Sequence, residues 1–143
     1  MRSDRINYST LIDKIQNAFC KAFGNDLLFI EKNEATEHMG YFKILYNYLP
    51  LQYDIIFESE YGTFTIDIYD NEGAENNLFR IERYDNETKM SNVEKAINIL
   101  KTVLQKNDFC FYISRHGKIY RKKGEQYSRV KDLKELAGGS LND

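Results

Sequence analysis

A hairpin pattern at residues 53–69 constrains the fold more than any other feature of the chain. Phe64, Ile66 and Ile68 alternate with polar or aromatic positions, and an apolar residue at every second position predicts a half-buried strand. A partner strand is predicted over residues 53–59. Gly62 in the connection can adopt the positive φ that tight turns require. The pattern therefore predicts an antiparallel hairpin with one apolar face and one face exposed to water.

Two amphipathic patterns flank further strand candidates. Residues 8–23 carry apolar side chains at three- and four-residue spacing, with Ser9 or Thr10 as the expected N-cap and Gly24 as the expected end. A second helix is predicted to begin at Ser91, where residues 91–94 match a capping box, and to end at Asn107. The remaining predicted segments are strands at 27–31, 41–48, 78–84, 109–114 and 118–122, a loop at 34–40, and a short helix at 128–136.

The order of these elements predicts an α+β fold. Strands do not alternate regularly with helices, so we expect an antiparallel sheet of about five or six strands with an N-terminal helix, a central helix and a short C-terminal helix. The 143 residues fit one domain, predicted to span residues 1–137, with a flexible tail at 138–143. Phe64, Ile66, Ile68, Ile97, Leu100 and Phe111 are expected to share one core.

Charge is sorted along the chain. Residues 54–87 contain ten acidic residues against two arginines, whereas residues 115–134 contain eight basic residues against two acidic ones, although the formal net charge is only -2. Segregated charge bears on partners and association rates rather than on fold. The acidic strands therefore suggest a recognition surface, and a solvated sheet face is the plainer alternative.

Other patterns bound the class of protein. No export signal or membrane-length apolar run is apparent, which favours a cytoplasmic protein that does not associate with membranes. Cys20 and Cys110 are then expected to be reduced and buried thiols. The sequence predicts no metal and no cofactor, because its histidines and cysteines lack metal-ligand spacing and it has no phosphate-binding glycine loop.

Catalysis and nucleic-acid binding are the weaker interpretations. His116 is the one candidate acid–base group, because it lies among cations in a predicted turn, but an exposed turn residue explains it more simply. The basic stretch that contains Tyr120 and Tyr127 is compatible with nucleic acid, yet a sequence pI near 5.8 argues against that role. We therefore expect a protein that is not an enzyme.

Three short segments resemble a known class of proteins. Residues 93–101 (VEKAINILK), 107–109 (NDF) and 117–121 (GKIYR) are similar to segments of small single-domain bacterial immunity proteins, the antitoxins encoded beside contact-dependent or secreted polymorphic toxins. The resemblance spans roughly residues 53–136 and implies an inhibitor that binds one cognate toxin domain. The alternatives are a phage or bacterial regulatory module that binds another protein, or a small phosphodiesterase or nuclease that uses His116.

The acidic hairpin is the predicted partner surface, and its expected partner is a basic toxin domain. Charge complementarity raises association rates, and aromatic side chains anchor interfaces. Both kinds of side chain occur on the hairpin. The predicted partner-binding residues are Asp54, Glu58, Asp67, Tyr69, Tyr53 and Tyr61.

Overall fold

An eight-stranded antiparallel sheet forms the body of the molecule, and each strand pairs with its neighbours in the sequence. The computed structural model describes residues 7–136. The α+β class is confirmed, but the predicted count of five or six strands is too low. The strands are β1 Leu27–Ala35, β2 Tyr41–Tyr48, β3 Tyr53–Glu60, β4 Thr63–Tyr69, β5 Glu75–Asn77, β6 Phe111–Arg115, β7 Lys118–Lys123 and β8 Gln126–Arg129.

The two long helices are α1 Tyr8–Phe23 and α3 Met90–Lys106, and a single helical turn, α2, spans Leu78–Ile81. The predicted extent of α1 is confirmed, but its cap is Asn7, whose side-chain oxygen accepts from the Thr10 N–H at 3.1 Å. No capping box forms at α3, which follows Lys89 without a side-chain cap. Asn107 ends α3, as predicted, and the structure shows it in the left-handed conformation.

The core lies between the helices and one face of the sheet, called the inner face. Phe19 of α1 packs against Phe57 of β3, with ring centroids 6.0 Å apart. Apolar side chains alternate along β2, β3 and β4, so every second residue points into this core. The six residues predicted to share one core do so: Phe64, Ile66, Ile68, Ile97, Leu100 and Phe111.

The predicted hairpin is confirmed as β3 and β4. Its connection is Tyr61-Gly62, and both residues have positive φ, +58° and +79°. Two consecutive residues of this kind form the tight turn whose twist matches that of antiparallel strands. The turn fixes a register in which Asp54 lies opposite Tyr69 and Ile56 opposite Asp67.

Three predicted elements are wrong. The strand expected at residues 78–84 begins instead as α2, because the Asn77 side chain accepts from the Phe79 N–H at 2.9 Å and caps a helical turn. The helix expected at residues 128–136 is replaced by the end of β8 and a 3-10 turn, Leu133–Leu136. Part of the loop expected at residues 34–40 is strand, since β1 continues to Ala35.

Other expectations concern thiols, membranes and the termini. Cys110 is half-buried, but Cys20 is exposed, contrary to the predicted burial, and neither is in a disulfide. Within residues 7–136, no helix is long and apolar enough to cross a membrane. The tail predicted at residues 138–143 lies outside the described residues.

Candidate functional site

Four of the six predicted partner-binding residues lie on the outer face of the sheet, opposite the face that α1 and α3 cover. Asp54 and Glu58 alternate with the buried Ile55 and Phe57 on β3. The same alternation sets the positions of Asp67 and Tyr69 on β4, a strand whose Phe64, Ile66 and Ile68 are all buried in the core. Successive side chains of a strand point to opposite faces, so these four residues share the outer face.

Tyr53 belongs to the opposite side. Its ring packs edge-on against Phe111, with centroids 5.0 Å apart, and its hydroxyl donates to Asn107 Oδ1 at 3.1 Å. Tyr53 therefore joins the end of α3 to the inner face and is not grouped with Asp54. The sequence already indicates this placement, because Tyr53, Ile55 and Phe57 are two residues apart and alternate residues of a strand point to the same face.

Tyr61 projects from the turn of the hairpin, where 71% of the residue is exposed. It borders a shallow recess of about 280 Å³ on the outer face. Three of the six lining residues are acidic, and the others are hydroxyl-bearing. They are Glu58, Glu60, Tyr61, Thr63, Thr65 and Asp67.

Asp67 is the most perturbed carboxyl group of this surface. Burial, reinforced by the nearby carboxylates Glu75 and Glu58, raises its pKa from 3.8 to about 6. A hydrogen bond from Asn77 Nδ2, at 2.8 Å, and the more distant Arg80 act in the opposite direction. The effect of burial on the pKa is the larger one, because few hydrogen-bond donors replace the water that an ionised carboxylate would bind. Asp67 is therefore held in a site that disfavours its charge.

Two tyrosines frame the acidic groups. Tyr41 of β2, which the sequence analysis missed, donates its hydroxyl to Glu58 Oε2 at 2.8 Å. Burial and this bond to Glu58 raise the pKa of Tyr41 to about 12. Burial and the charges of Glu75 and Asp67 likewise raise the pKa of Tyr69 to about 12. Both phenols therefore remain neutral hydrogen-bond donors at physiological pH.

Apolar side chains lie among these polar groups. Leu45 of β2 and Ile56 of β3 are opposite each other on the outer face, and Asp67 follows in the same row on β4. Both aliphatic residues are only half-buried. We call this part of β2–β5 the acidic outer surface; Lys43 lies opposite Glu58 within it. The surface comprises Tyr41, Lys43, Leu45, Asp54, Ile56, Glu58, Glu60, Asp67, Tyr69 and Glu75.

Part of the charge segregation seen in the sequence is satisfied within the chain. The Lys122 ammonium on β7 donates to Asp70 at 2.5 Å and to Glu72 at 2.6 Å. Burial alone would lower the pKa of Lys122, but these two bonds raise it overall. Tyr127 of β8 also donates to Glu72, at 2.7 Å. The β4–β5 turn is thus clasped by strands β7 and β8.

The clasp compensates for a weak strand junction. Strands β5 and β6 pair through a single residue pair, Glu75 with Tyr112.

Among the described residues, Asp54 and Glu60 form no ion pair within 4 Å, so their charges remain available at the surface. Asp54 and Glu60 of the acidic outer surface are therefore not neutralised by a cation within residues 7–136.

His116, the one catalytic candidate of the sequence analysis, lies in the β6–β7 turn. It is exposed and has a positive φ of +54°. The neighbouring Arg115 guanidinium lies 5.1 Å from the Tyr127 ring centre, and Arg115 is paired across the hairpin with Lys118. Within residues 7–136, no three His, Cys, Asp or Glu side chains are arranged to hold a metal ion.

Comparison of the chain with protein-family models, with curated proteins and with solved structures finds no match. The geometry of the acidic outer surface is therefore the basis for a functional assignment.

Proposed function

We propose that this protein is an immunity protein that binds a cognate bacterial toxin domain and blocks its active site or another functional surface. The observation that carries the proposal is the acidic outer surface. Asp54 and Glu60 are exposed carboxylates with no ion pair among the described residues, and they flank the half-buried aliphatic pair Leu45 and Ile56. Protein interfaces commonly have such an apolar centre within a polar rim.

The surface has the properties that a rapid inhibitor of a basic domain needs. Carboxylates on one face attract a cationic partner at long range and raise the association rate. Tyr61, exposed at the hairpin turn, offers an aromatic anchor beside the acidic recess. A toxin that binds nucleic acid would present a cationic cleft, and the acidic outer surface would occupy that cleft in place of the phosphates.

Asp67 gives a second line of support. Its ionised form is disfavoured by burial, yet the chain keeps an acid where an asparagine would also accept the hydrogen bond from Asn77. A residue that costs stability is typical of a surface kept for function. An arginine or lysine of the partner would relieve the cost by pairing with Asp67.

Coexpression tests the function directly. The domain encoded immediately beside this gene is expressed in a heterologous bacterium with and without the protein. We expect the domain alone to stop growth and the protein to restore it, with a stoichiometric complex recovered from the cells. A neighbouring domain that is harmless, or one whose toxicity this protein leaves unchanged, would contradict the proposal.

Charge reversal then tests the surface. The double variant Asp54→Lys/Glu60→Lys changes two exposed carboxylates and leaves the half-buried Asp67 untouched. The association rate with the toxin domain should fall at low salt, and the loss should shrink at high salt because mobile ions screen exposed charges. The matched control is Lys118→Glu/Arg129→Glu on the exposed basic strands β7 and β8. A control that abolishes binding while the acidic double variant binds normally would place the interface at the basic end.

A further inference from the structure

Strand β1 is an edge of the sheet. It is first in the strand order and pairs with β2 on one side, and no strand within residues 7–136 pairs with its other side. It is also long, nine residues, whereas the opposite edge strand β8 has four. An unpaired edge offers backbone N–H and C=O groups to another extended strand.

The first half of β1 is apolar as well as exposed. Leu28, Phe29 and Ile30 are 50%, 46% and 45% exposed, and they follow one another directly in the chain. Leu49 extends the same patch, because its backbone N–H donates to Asp26 O at 2.8 Å, beside the start of β1. The patch is defined as these four residues: Leu28, Phe29, Ile30 and Leu49.

The two halves of β1 are protected to different degrees. Glu31, Lys32 and Glu34 in the second half place charges along the edge, which is a common defence against unwanted strand pairing. The pairing with β2 shifts register between Phe29 and Glu31, which marks a bulge at Ile30. The bulge is itself a partial defence, because it twists the edge, but residues 27–30 carry no charge. The exposed apolar half is therefore the less protected half of the edge.

We propose that two copies of this chain associate through β1, with the two strands antiparallel about a twofold axis near Phe29. This arrangement places Leu28 of each copy opposite Ile30 of the other, so each apolar patch covers its counterpart. Lys32, which contacts Glu34 at 3.1 Å in its own chain, would lie on the side of the other copy's Asp26, in the 3-10 turn that precedes β1. No like charges oppose each other across the axis, and directly opposed like charges would be unfavourable.

One side chain of the patch, Phe29, is already held in place before association. The Phe29 ring packs edge-on against the buried Tyr46, with centroids 6.1 Å apart, so its position is already fixed in the single chain. Loss of side-chain freedom is a main cost of binding. Because the Phe29 ring already packs against Tyr46, it loses little freedom when two copies associate. Two Phe29 rings across the axis would form a cross-strand aromatic pair.

Sedimentation equilibrium of the purified chain tests the association. We expect a mass near twice 16.9 kDa at high concentration and a reversible fall toward 16.9 kDa on dilution, from about 200 to 1 µM, as mass action requires. Ile30→Lys should raise the dimer dissociation constant at least about tenfold, because a charge enters the apolar contact. Leu133→Lys, which alters another exposed apolar residue, in the distant 3-10 turn, should leave it unchanged.

Disulfide trapping tests the axis without relying on a disruptive variant. In a Cys20→Ser/Cys110→Ser background, Phe29→Cys should form a covalent dimer under mild oxidation, because paired antiparallel residues have Cα atoms about 4.5–5.5 Å apart. Asn33→Cys is the control: its two copies would be about 26 Å apart along the strands and should not cross-link.

Three results would overturn this inference. The first is a mass of 16.9 kDa at every concentration. The second is a dimer that Ile30→Lys and Leu133→Lys weaken equally. The third is cross-linking that is as fast at Asn33→Cys as at Phe29→Cys.

Discussion

Replacing Asp67 by asparagine is expected to stabilise the protein at neutral pH. The change removes the charge that burial disfavours and keeps an oxygen that accepts the 2.8 Å hydrogen bond from Asn77. The pKa of Asp67 rises from 3.8 to about 6 on folding. Each unit corresponds to about 1.4 kcal/mol, so the ionised group costs up to about 3 kcal/mol at pH 7. Because the neutral amide makes a weaker hydrogen bond, we expect a gain of about 1–2 kcal/mol.

The pH dependence gives the sharper signature. A carboxyl group with a raised folded-state pKa holds its proton more tightly in the folded protein, so its contribution to stability is greatest below about pH 4. That contribution is lost as the pH rises from about 4 to 6. The difference in unfolding free energy between Asp67→Asn and the native chain should therefore grow over this window and level off above it. Urea denaturation at pH 4, 5, 6 and 7 measures it.

Asp54→Asn is the matched control for this experiment. Asp54 is an exposed carboxylate on the same face that accepts a 3.0 Å hydrogen bond from Asn47. Its replacement should change the free energy of unfolding at pH 7 by less than about 0.5 kcal/mol, as is usual for an exposed side chain. The reasoning is refuted if Asp67→Asn destabilises the protein at pH 7, or if its effect is the same at pH 4 and pH 7.

Three further substitutions test the core packing, the Lys122–Asp70 ion pair and the role of His116. Phe64→Ala should lower the free energy of unfolding by about 3–5 kcal/mol in urea, because it leaves a cavity in the core, and a loss below 1 kcal/mol would contradict the packing. Lys122→Met should cost on the order of 2–4 kcal/mol, since it leaves the buried Asp70 carboxylate without its cation, whereas Lys123→Met at an exposed pair should barely move the urea midpoint. His116→Ala should leave neutralisation of the toxin domain intact in the coexpression assay; a loss of protection without loss of folding would give His116 a role.

The parts of the fold predicted correctly are those with strong periodicity. Helix α1 and the β3–β4 hairpin combine a clear apolar pattern with a suitable terminating glycine, Gly24 or Gly62, so local and long-range preferences agree. Strands β5 and β8 read ENN and QYSR and carry no apolar alternation. They are strands because their backbone groups form hydrogen bonds with neighbouring strands. A short stretch of sequence does not show which strands will lie beside it.

The helical turn α2 shows the limit of alternation as a signal. Phe79 and Ile81 alternate with charged residues as in a strand, but Asn77 caps the segment and the buried Leu78 anchors it. A four-residue turn is too short for a helical period to be recognised.

The candidate site was predicted in part for the same reasons. Strand parity grouped Asp54, Glu58, Asp67 and Tyr69 on one face, and the register confirms that grouping. Their role as partner-binding residues stays a prediction. Alternation within one hairpin does not reveal the neighbouring strands, so the Tyr41 hydroxyl and the partial burial of Asp67 could not be predicted from it. The separation of charge along the sequence likewise gives no sign that Lys122 of the basic segment binds Asp70 and Glu72 of the acidic one.

Carboxyl footprinting of the complex with the toxin domain tests the central claim most directly. Exposed carboxylates are labelled with a carbodiimide and an amine in the free and bound protein, and the modified sites are quantified by mass spectrometry. If the acidic outer surface is the toxin interface, Asp54 and Glu60 should lose most of their labelling in the complex. The exposed Glu94 on α3 and Asp132 after β8 should keep theirs. Protection of Glu94 or Asp132 with unchanged labelling of Asp54 and Glu60 would contradict the account.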